Sequence, residues 1–328
     1  MTTKESAGLA IRSTLPAQSR LGYGCMQLGG AWDDSALDDA ITNKTENLVM
    51  EALEQGVNLF DHADIYTLGK SEQVFGRVLG RQPALRQQIY IQSKCGIRFA
   101  GDPVSSAPAR YDFSYGHIID SVEQSLERLH TDYLDCLLLH RPDPLVEYED
   151  VARAFDELYR SGKVRSFGVS NHSASQIKLL SRFVDQPIVV NQLELSLLHC
   201  GLVDDGVMVN TAQPAKASVS GILDYCRLEG IQVQAWSPLA GGGLFQVLED
   251  ADPRQPLAAM VANLAAEKEC SLEAILLAWL LRHPAGIQPI VGTTDIARLR
   301  RACEAVAVCL SREDWYQLFT AARGEPVP

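Results

Sequence analysis

The segment GVNLFDHADIY, residues 56–66, places four ionisable side chains directly after a short apolar run. The apolar residues predict a buried strand, and ionisable side chains are rarely buried unless they are paired or used. The four are Asp61, His62, Asp64 and Tyr66. Four such groups at the end of a hydrophobic strand are therefore expected to be paired or used. The segment therefore indicates a candidate active site.

Two later apolar runs also end in a group that can hold or move a proton. Lys94 ends the run IYIQSK, and His140 ends the run YLDCLLLH. A single polar residue at a strand end is most simply a turn or cap residue. Asp61, Tyr66, Lys94 and His140, however, end or follow successive strands, and this repetition favours one shared pocket.

Strands and helices alternate along the chain. Eight short apolar runs predict strands, beginning at Arg20, Val57, Ile89, Tyr133, Val164, Pro187, Ile231 and Ile287. Helical patterns follow most of them; for example, Val151, Ala154, Phe155 and Leu158 fall on one helix face. This alternation predicts an α/β fold with parallel strands, and the count of eight favours a (β/α)8 TIM barrel over a doubly wound sheet.

The chain has no Pro/Gly/Ser-rich linker, so we expect one barrel domain over residues 15–328, preceded by a loose tail over residues 1–14. Extra helices and long βα loops are expected at the C-terminal face. A long polar loop is predicted around residues 200–218, and a glycine-rich loop over residues 241–255. In such barrels the C-terminal ends of the strands carry the active site.

Composition narrows the class of protein. The chain has 328 residues, of which 46% are hydrophobic, and a formal net charge of −12. An acidic chain lacks the basic face that nucleic acid binding needs. The eight cysteines form no C-x-x-C pair, which favours free thiols in an intracellular enzyme. The N-terminal segment has no secretory apolar core, and the longest apolar run, residues 272–281, is too short for a membrane span. We expect a cytoplasmic protein without a membrane partner.

The chain resembles the aldo-keto reductase superfamily, and its oxidoreductase-like bacterial members in particular. The resemblance extends from about Gly22 to about Phe319, and its motifs are FDHADIY, SKCG, DYLDCLLLHRPDP, GKVRSFGVSNH, VNQLELS, AWSPLAGG and PIVGTT. It implies a barrel enzyme that reduces an aldehyde or ketone to an alcohol with NADP(H). The implied partner is a small carbonyl compound; the oligomeric state is left open.

The resemblance implies a catalytic tetrad of Tyr66, Asp61, Lys94 and His140. Tyr66 would give a proton to the carbonyl oxygen while hydride reaches the carbonyl carbon. A cation lowers the pKa of a phenol, so Lys94 would assist Tyr66, and Asp61 would keep Lys94 charged. His140 would hydrogen-bond the carbonyl oxygen or relay the proton.

The sequence contains no G-x-G-x-x-G fingerprint, in keeping with a family that binds its cofactor across the barrel mouth. By resemblance, the cofactor contacts are Met26, Asp61, Ser170, Asn171, Gln192, Trp236, Ser237, Pro238, Leu239, Gly241, Gly292, Thr293, Thr294 and Arg298. Trp236 would stack on the nicotinamide ring, and residues 292–294 would open a helix whose N-terminus attracts phosphate. Arg298 favours NADPH over NADH, but Gly292 departs from the lysine of many relatives, which leaves NADH open.

Substrate contacts are expected from Trp32, His62, Phe99 and Arg141. His62 replaces the small hydroxyl residue that is usual in the family and would either line the substrate pocket or point into the helix layer. Arg141 would meet an anionic substrate or make a surface ion pair. Asp64 is more simply structural, with hydrogen bonds to nearby backbone.

Two other functions fit parts of the pattern. A metal-dependent barrel hydrolase would use Asp61, His62, Asp64 and His140, but it would give Lys94 and Tyr66 no obvious role. We therefore expect no metal site. A non-catalytic, cofactor-sensing barrel would keep the same residues without turnover. Metal analysis and a single-turnover assay with NADPH would separate these alternatives.

Overall fold

Eight strands form a closed barrel in the computed structural model, which describes residues 18–208, 221–243, 245 and 255–328. The strands of the described residues are β1 Gly22–Gly24, β2 Leu59–Asp61, β3 Tyr90–Cys95, β4 Ile97–Arg98, β5 Arg110–Tyr111, β6 Cys136–Leu139, β7 Phe167–Ser170, β8 Ile188–Glu194, β9 Gln232–Trp236 and β10 Gln288–Val291. The barrel order is β1-β10-β9-β8-β7-β6-β3-β2. The predicted eight-stranded barrel is confirmed.

Helices alternate with the barrel strands. They are α1 Asp39–Glu54, α2 Lys70–Arg81, α3 Tyr115–Leu129, α4 Tyr148–Arg160, α5 Ala174–Leu180, α6 Gly201–Val207, α7 Ile222–Glu229, α8 Gln255–Glu267, α9 Leu272–Leu281, α10 Ile296–Cys303 and α11 Arg312–Arg323. In α4 the predicted face, Val151, Ala154, Phe155 and Leu158, is fully buried. The Phe155 ring stacks on Phe167 of β7, with 4.0 Å between ring centroids, and this contact fixes the helix against the strand.

The pairing of β4 with β5 was not predicted. These two strands form a two-stranded antiparallel sheet after β3, with Ile97 opposite Tyr111. Arg98 stabilises the hairpin by ion pairs of 2.8 Å to Asp102 and to Asp112. The strands contain only two residues each, so the sequence offers no alternation long enough to recognise.

The predicted polar loop over residues 200–218 is wrong in its first part. Residues 201–207 form α6, in which Leu202 and Val203 are buried. Asp204 of this helix is buried too, and Arg323 of α11 lies 3.0 Å from its carboxylate. A pattern of acidic residues and glycine therefore concealed a short packed helix. Residues 209–220 of this prediction lie outside the described residues.

The other predicted irregular segments are described only in part. The tail over residues 1–14 lies outside the described residues, as do residues 244 and 246–254 of the glycine-rich loop. The described start of that loop is a short helical turn, Ala240–Gly242, and α8 begins at Gln255. Among the described helices, none has both the length and the apolar character that crossing a bilayer requires.

Contacts divide the chain into two compact units, a first through Asn191 and a second from Gln192. The first contains β1 to β3 and β6 to β7 with their helices, and its pairings run parallel, with Asp61 beside Gln92 and Lys94 beside Leu138. The second contains β9 and β10, also parallel, with Gln234 beside Gln288. The single domain over residues 15–328 stays a prediction.

Two glycines of α2 offer a matched test of helix packing. A Cβ atom at Gly76 would lie 2.0 Å from the backbone oxygen of Arg128, whereas one at Gly80 would make only an ordinary contact. Gly76→Ala should therefore lower the free energy of unfolding by about 1–3 kcal/mol, because a backbone carbonyl of α3 cannot move aside freely. Gly80→Ala should raise it by roughly 0.5–1 kcal/mol through helix propensity. Urea denaturation checks both signs; equal effects would contradict the close approach of α2 and α3.

Candidate active site

The loop after β2 is held against the end of β3 by backbone hydrogen bonds. The N–H of His62 donates to the carbonyl of Gln92 at 2.8 Å, and the N–H of Asp64 donates to the carbonyl of Lys94 at 3.0 Å. These bonds continue the parallel pairing beyond Asp61, the last residue of β2. They bring the loop that carries Tyr66 alongside the strand that carries Lys94.

Lys94 joins the candidate residues through its ammonium group. Its Nζ donates to Asp61 Oδ2 at 2.7 Å, to the backbone oxygen of His62 at 2.9 Å and to Tyr66 Oη at 3.0 Å. A lysine ammonium has three N–H donors, so each is used. The side chains of Lys94 and Asp61 are almost entirely buried, so the attraction of their charges is little weakened by water.

The pKa values show which of these groups carries a proton. Burial disfavours the charged form of Lys94, but Asp61 and Tyr66 raise the pKa of its amine above the ordinary value. Burial raises the pKa of the Tyr66 phenol, and the neighbouring Lys94 opposes this rise without cancelling it. Lys94 thus lowers the pKa of Tyr66, as expected, but burial raises it by more, so the net pKa lies above the ordinary value. Tyr66 is a neutral phenol at neutral pH.

His140 lies beside the phenol. Its ring is 6.0 Å from the Tyr66 ring between centroids and nearly perpendicular to it. Burial, then the charges of Lys94 and Arg141, lower the pKa of His140 well below its ordinary value. The imidazole is therefore neutral at pH 7 and carries one N–H. Its Nδ1 atom is buried without a hydrogen-bond partner in the described ranges.

Gln92 is a member of this site that the sequence reasoning missed. Its Nε2 donates to Asp61 Oδ1 at 2.6 Å, so both oxygens of the carboxylate are held, one by an amide and one by an ammonium. Gln92 is fully buried. The signal was present, because residues 92 and 94 share one face of β3 and the side-chain period of a strand is two.

The opposite face of β3 supports the site from behind. Ser93 Oγ donates to Glu72 Oε1 at 2.6 Å, and Arg128 Nε donates to Glu72 Oε2 at 2.8 Å. Glu72 belongs to α2, Arg128 to α3, and the glutamate is fully buried. This hydrogen-bonded ion pair connects the strand that carries Lys94 to both helices.

His62 points into the layer between β2 and α2. Its ring is fully buried and lies edge-on against Phe75, with 4.7 Å between centroids. Burial, then the charge of Lys94, lower its pKa to about 3, so the ring is neutral. Of the two interpretations of His62, this geometry matches the helix-layer one.

Asp64 is half-buried as a residue, but its carboxyl group is buried near a second carboxylate. Burial first, and repulsion from Glu72 second, raise its pKa from 3.8 to about 8. One carboxyl oxygen has no hydrogen-bond partner within the described part of the chain. A bond with Ser121 and one with the backbone of Ile65 act in the opposite direction. Asp64 is thus mostly protonated at neutral pH.

This raised pKa predicts a pH-dependent stability. The unfolded chain loses the Asp64 proton near pH 3.8 and the folded chain near pH 8, so the folded state binds more protons between these values. The stabilisation is complete below about pH 4 and is lost as the pH rises through about 8. The free energy of unfolding of Asp64→Asn, relative to that of the original chain, should therefore rise by roughly 1–3 kcal/mol when the pH is raised from 5 to 9. Urea titrations at both pH values measure this difference, with the exposed Asp120→Asn as control; a constant difference would contradict the raised pKa.

In the first unit, two of the expected cofactor residues stand at the end of β7. Asn171, with a φ of 61°, donates from Nδ2 to Ser170 Oγ at 2.8 Å and to the backbone oxygen of His140 at 3.3 Å. These contacts place an amide and a hydroxyl beside the tetrad. Met26 follows β1 and is 43% exposed.

In the second unit, the expected residues follow β9. Gln192 is buried and donates to Gln234 at 3.0 Å, and Gln234 donates in turn to Gln288 at 3.0 Å. These two partners were not predicted; they share one face of β9 and β10, where they are paired in register. Gln192 is thus held by a row of amides.

The segment after β9 has a backbone suited to a phosphate. Trp236 and Ser237 are half-buried, Pro238 is buried and Leu239 is half-buried. Positive φ angles occur at Ser237, Ala240, Gly241 and Gly242. An added Cβ at Gly241 or Gly242 would meet nothing within 4 Å. Open space over turned backbone lets a diphosphate approach N–H groups, so this segment fits the cofactor.

The expectation for residues 292–294 needs a correction. Gly292, Thr293 and Thr294 precede the helix and do not open it, since α10 begins at Ile296 with Asp295 as its N-cap. The carboxylate of Asp295 accepts the N–H of Arg298 at 3.0 Å. The carboxylate of Asp295 therefore occupies the helix N-terminus that was predicted to bind a phosphate of the cofactor. The Arg298 side chain is exposed.

The remaining substrate candidates lie on loops of the first unit. Trp32 and Phe99 are 49% and 40% exposed, and their rings touch edge to face with centroids 6.4 Å apart. Arg141 follows His140 directly and is half-buried. Among the described residues, no group of three His, Cys, Asp or Glu side chains is arranged to hold a metal ion.

Comparison with known proteins gives the same assignment as the motifs. Residues 20–322 match the model of the Aldo/keto reductase family. The oxidoreductase YcsN of Bacillus subtilis is 39% identical over 291 residues, which cover 86% of this chain and 89% of the relative. A 6-dehydroglucose reductase of Agrobacterium fabrum is 36% identical over 312 residues, which cover 94% of this chain and 96% of the relative. A Klebsiella pneumoniae aldo-keto reductase, solved with NADPH, superposes with a TM-score of 0.71 at 25% identity, over 94% of this chain and 92% of that one.

Proposed function

We propose that this chain, which belongs to the aldo/keto reductase family, reduces an aldehyde or ketone to an alcohol with NADPH, using Tyr66 as the general acid. The observation that carries the proposal is the position of Lys94, whose ammonium bonds Asp61 and Tyr66 at once. Support also comes from the NADPH that a structural relative contains. The roles of the individual residues are part of the proposal.

Tyr66 delivers the proton. Lys94 donates to its oxygen, so the hydrogen of the phenol is directed towards a different acceptor, which we assign as the carbonyl oxygen of the substrate. When the proton leaves, the phenolate forms 3.0 Å from a buried ammonium and is stabilised by it. Asp61 and Gln92 keep that ammonium in place.

His140 orients the substrate. Its lowered pKa makes it a neutral ring at pH 7, so it donates a hydrogen bond and does not act as a charged acid. An N–H directed at the carbonyl oxygen would hold it beside Tyr66. A neutral ring supports hydrogen bonding as the proposed role of His140 over proton relay.

Amide, hydroxyl, aromatic and backbone N–H groups would hold the cofactor. Ser170, Asn171 and Gln192 present amide and hydroxyl groups for the carboxamide, and Trp236 presents a flat face for the nicotinamide ring. The segment after β9 presents backbone N–H groups for the diphosphate. The cofactor, when bound, supplies the hydride that the carbonyl carbon accepts.

A carbonyl panel tests the proposed reaction. The purified protein is incubated with NADPH or NADH and with aldehydes and ketones that include an aldehyde-bearing hexose, because one relative is named a 6-dehydroglucose reductase. Loss of absorbance at the nicotinamide band, with formation of the matching alcohol, is the expected result. Tight NADPH binding without oxidation by any carbonyl would instead support a cofactor sensor.

Arg298 predicts the cofactor preference. Its exposed guanidinium is the proposed partner of the 2′-phosphate, so Arg298→Met should raise the KM for NADPH by roughly tenfold and leave the KM for NADH within twofold. Asp295 lies at the same helix end and repels a phosphate. Initial rates with both cofactors measure the effect, with the exposed Arg160→Gln as control. Equal changes for NADPH and NADH would remove Arg298 from this role.

A further inference from the structure

A separate cavity of about 190 Å³ lies in the second unit, between the end of α9 and the start of α11. It is lined by Arg282, His283, Pro284, Arg312, Trp315 and Tyr316. Residues 282–284 precede β10, so the cavity lies at the N-terminal end of this strand. The proposed cofactor residues 292–294 follow the opposite end of the same strand. The cavity is therefore distinct from them.

One wall of the cavity is a rigid aromatic surface. The Trp315 ring is parallel to that of Trp279, with centroids 5.2 Å apart. Each indole donates to the other residue's backbone oxygen, Trp279 at 3.3 Å and Trp315 at 3.0 Å. Tyr316 lies edge-on against Trp315 at 5.1 Å. These contacts fix the wall, so stacking on it costs little ordering of the protein.

The other wall carries positive charge. Arg282 donates from Nε to the backbone oxygen of Leu310 at 3.1 Å, and this bond leaves both of its terminal nitrogens as donors. Arg312, the first residue of α11, is exposed. Over the described ranges, no carboxylate lies within ion-pair distance of either guanidinium. The nearby Asp314 is engaged by Lys268 at 3.2 Å.

His283 adds a neutral donor. Burial, and then the charge of Arg227, lower its pKa against the opposing effect of the Asp224 carboxylate, so it is uncharged at pH 7. Its Nδ1 accepts the N–H of Ala285 at 3.2 Å, which places the ring hydrogen on Nε2. The chain has a net charge of −12, but this cavity is locally positive. It combines two guanidiniums that form no ion pair among the described residues with an N–H donor and a flat aromatic wall.

The volume limits the ligand. A cavity of about 150 Å³ holds one benzene molecule, while drug-sized ligands take roughly 300–1,000 Å³. The cavity observed here has room for one ring and one acidic group, and a dinucleotide is too large for it. We propose that it binds a small aromatic anion, with the ring against Trp315 and Tyr316 and a carboxylate or phosphate between Arg282 and Arg312.

Four probes test the site by isothermal titration of the NADP-saturated protein. Benzoate and phenyl phosphate carry both features, cyclohexanecarboxylate lacks the aromatic ring, and inorganic phosphate lacks any ring. We expect saturable binding of the two aromatic anions, at least about tenfold tighter than of either control probe. The tighter of the two identifies the preferred acidic group.

Variants place the binding. Arg312→Gln and Arg282→Gln should each lower the affinity for the aromatic anions by on the order of tenfold. Arg160 is an exposed arginine of α4, and Arg160→Gln should leave the affinity within twofold. Thermal unfolding tests whether each variant is folded. If Arg282→Gln does not fold, the affinity measured with Arg312→Gln alone tests the proposed site.

Three outcomes would overturn the proposal. They are no saturable binding up to about 10 mM, equal affinity for benzoate and cyclohexanecarboxylate, and affinities unchanged in the arginine variants. The last would place the anions elsewhere, for instance at the tetrad. Because neither arginine belongs to the proposed reaction, the carbonyl panel and this titration succeed or fail independently.

Discussion

Tyr66→Phe should lower kcat/KM for carbonyl reduction by about 10²–10⁴-fold, the range that a lost general acid typically costs. The substitution keeps the ring, which stands at a right angle to His140, and removes the oxygen that lies 3.0 Å from Lys94 Nζ. The carbonyl oxygen then has no proton donor at the position where the alkoxide forms. Initial rates with a carbonyl from the panel measure the loss.

The exposed Tyr111 of the β4–β5 hairpin provides the matched control. Tyr111→Phe makes the same chemical change in the same unit and should leave kcat/KM within twofold. NADPH binding by Tyr66→Phe, followed by fluorescence, should also be retained, since the phenol is not proposed to hold the cofactor. Unchanged turnover in Tyr66→Phe would show that another group donates the proton.

Lys94→Met should both abolish measurable reduction and destabilise the fold. The amine is fully buried with Asp61, so its removal leaves a carboxylate without its cation in the interior. Breaking a buried pair in this way costs about 3–5 kcal/mol. Urea denaturation measures this loss, and the assay with NADPH measures the loss of rate.

A double variant separates the two effects of Lys94. Asp61→Asn combined with Lys94→Met removes both charges and keeps an amide oxygen for Gln92, so most of the stability should return while the rate does not. Lys70→Met is the matched control, because Lys70 is also buried but its partner Asp33 is 56% exposed to water. A destabilisation by Lys70→Met as large as that by Lys94→Met would contradict the special position of the Lys94–Asp61 pair.

The barrel and the convergence of its polar residues could be predicted because they follow from periodicity. Apolar runs at regular intervals specify strands, and parallel strands bring their C-terminal ends to one face. The sequence alone therefore assigns Asp61 and Lys94 to one site. The helix of residues 148–160 was predictable for the same reason, since its apolar spacing has no other economical explanation.

Orientation and protonation could not be read from the sequence. His62 follows Asp61 by one residue, and only the packing of Phe75 shows that its ring faces α2. The net pKa of Tyr66 depends on whether burial outweighs Lys94, which is a comparison of distances and solvent exposure. The same holds for Asp295, whose role as a helix cap moved the start of α10 beyond the threonines.

The three hydrogen bonds of Lys94 have a consequence for the catalytic cycle. With all its N–H groups already committed to protein oxygens, the amine is a fixed counter-charge and a poor conduit for hydrogen. After each round of catalysis, the tyrosine would have to regain its proton from water on its solvent side. Reprotonation of Tyr66 would then depend on the access of water at the mouth of the barrel. The buried Lys94 and Asp61 would keep their charges from one cycle to the next.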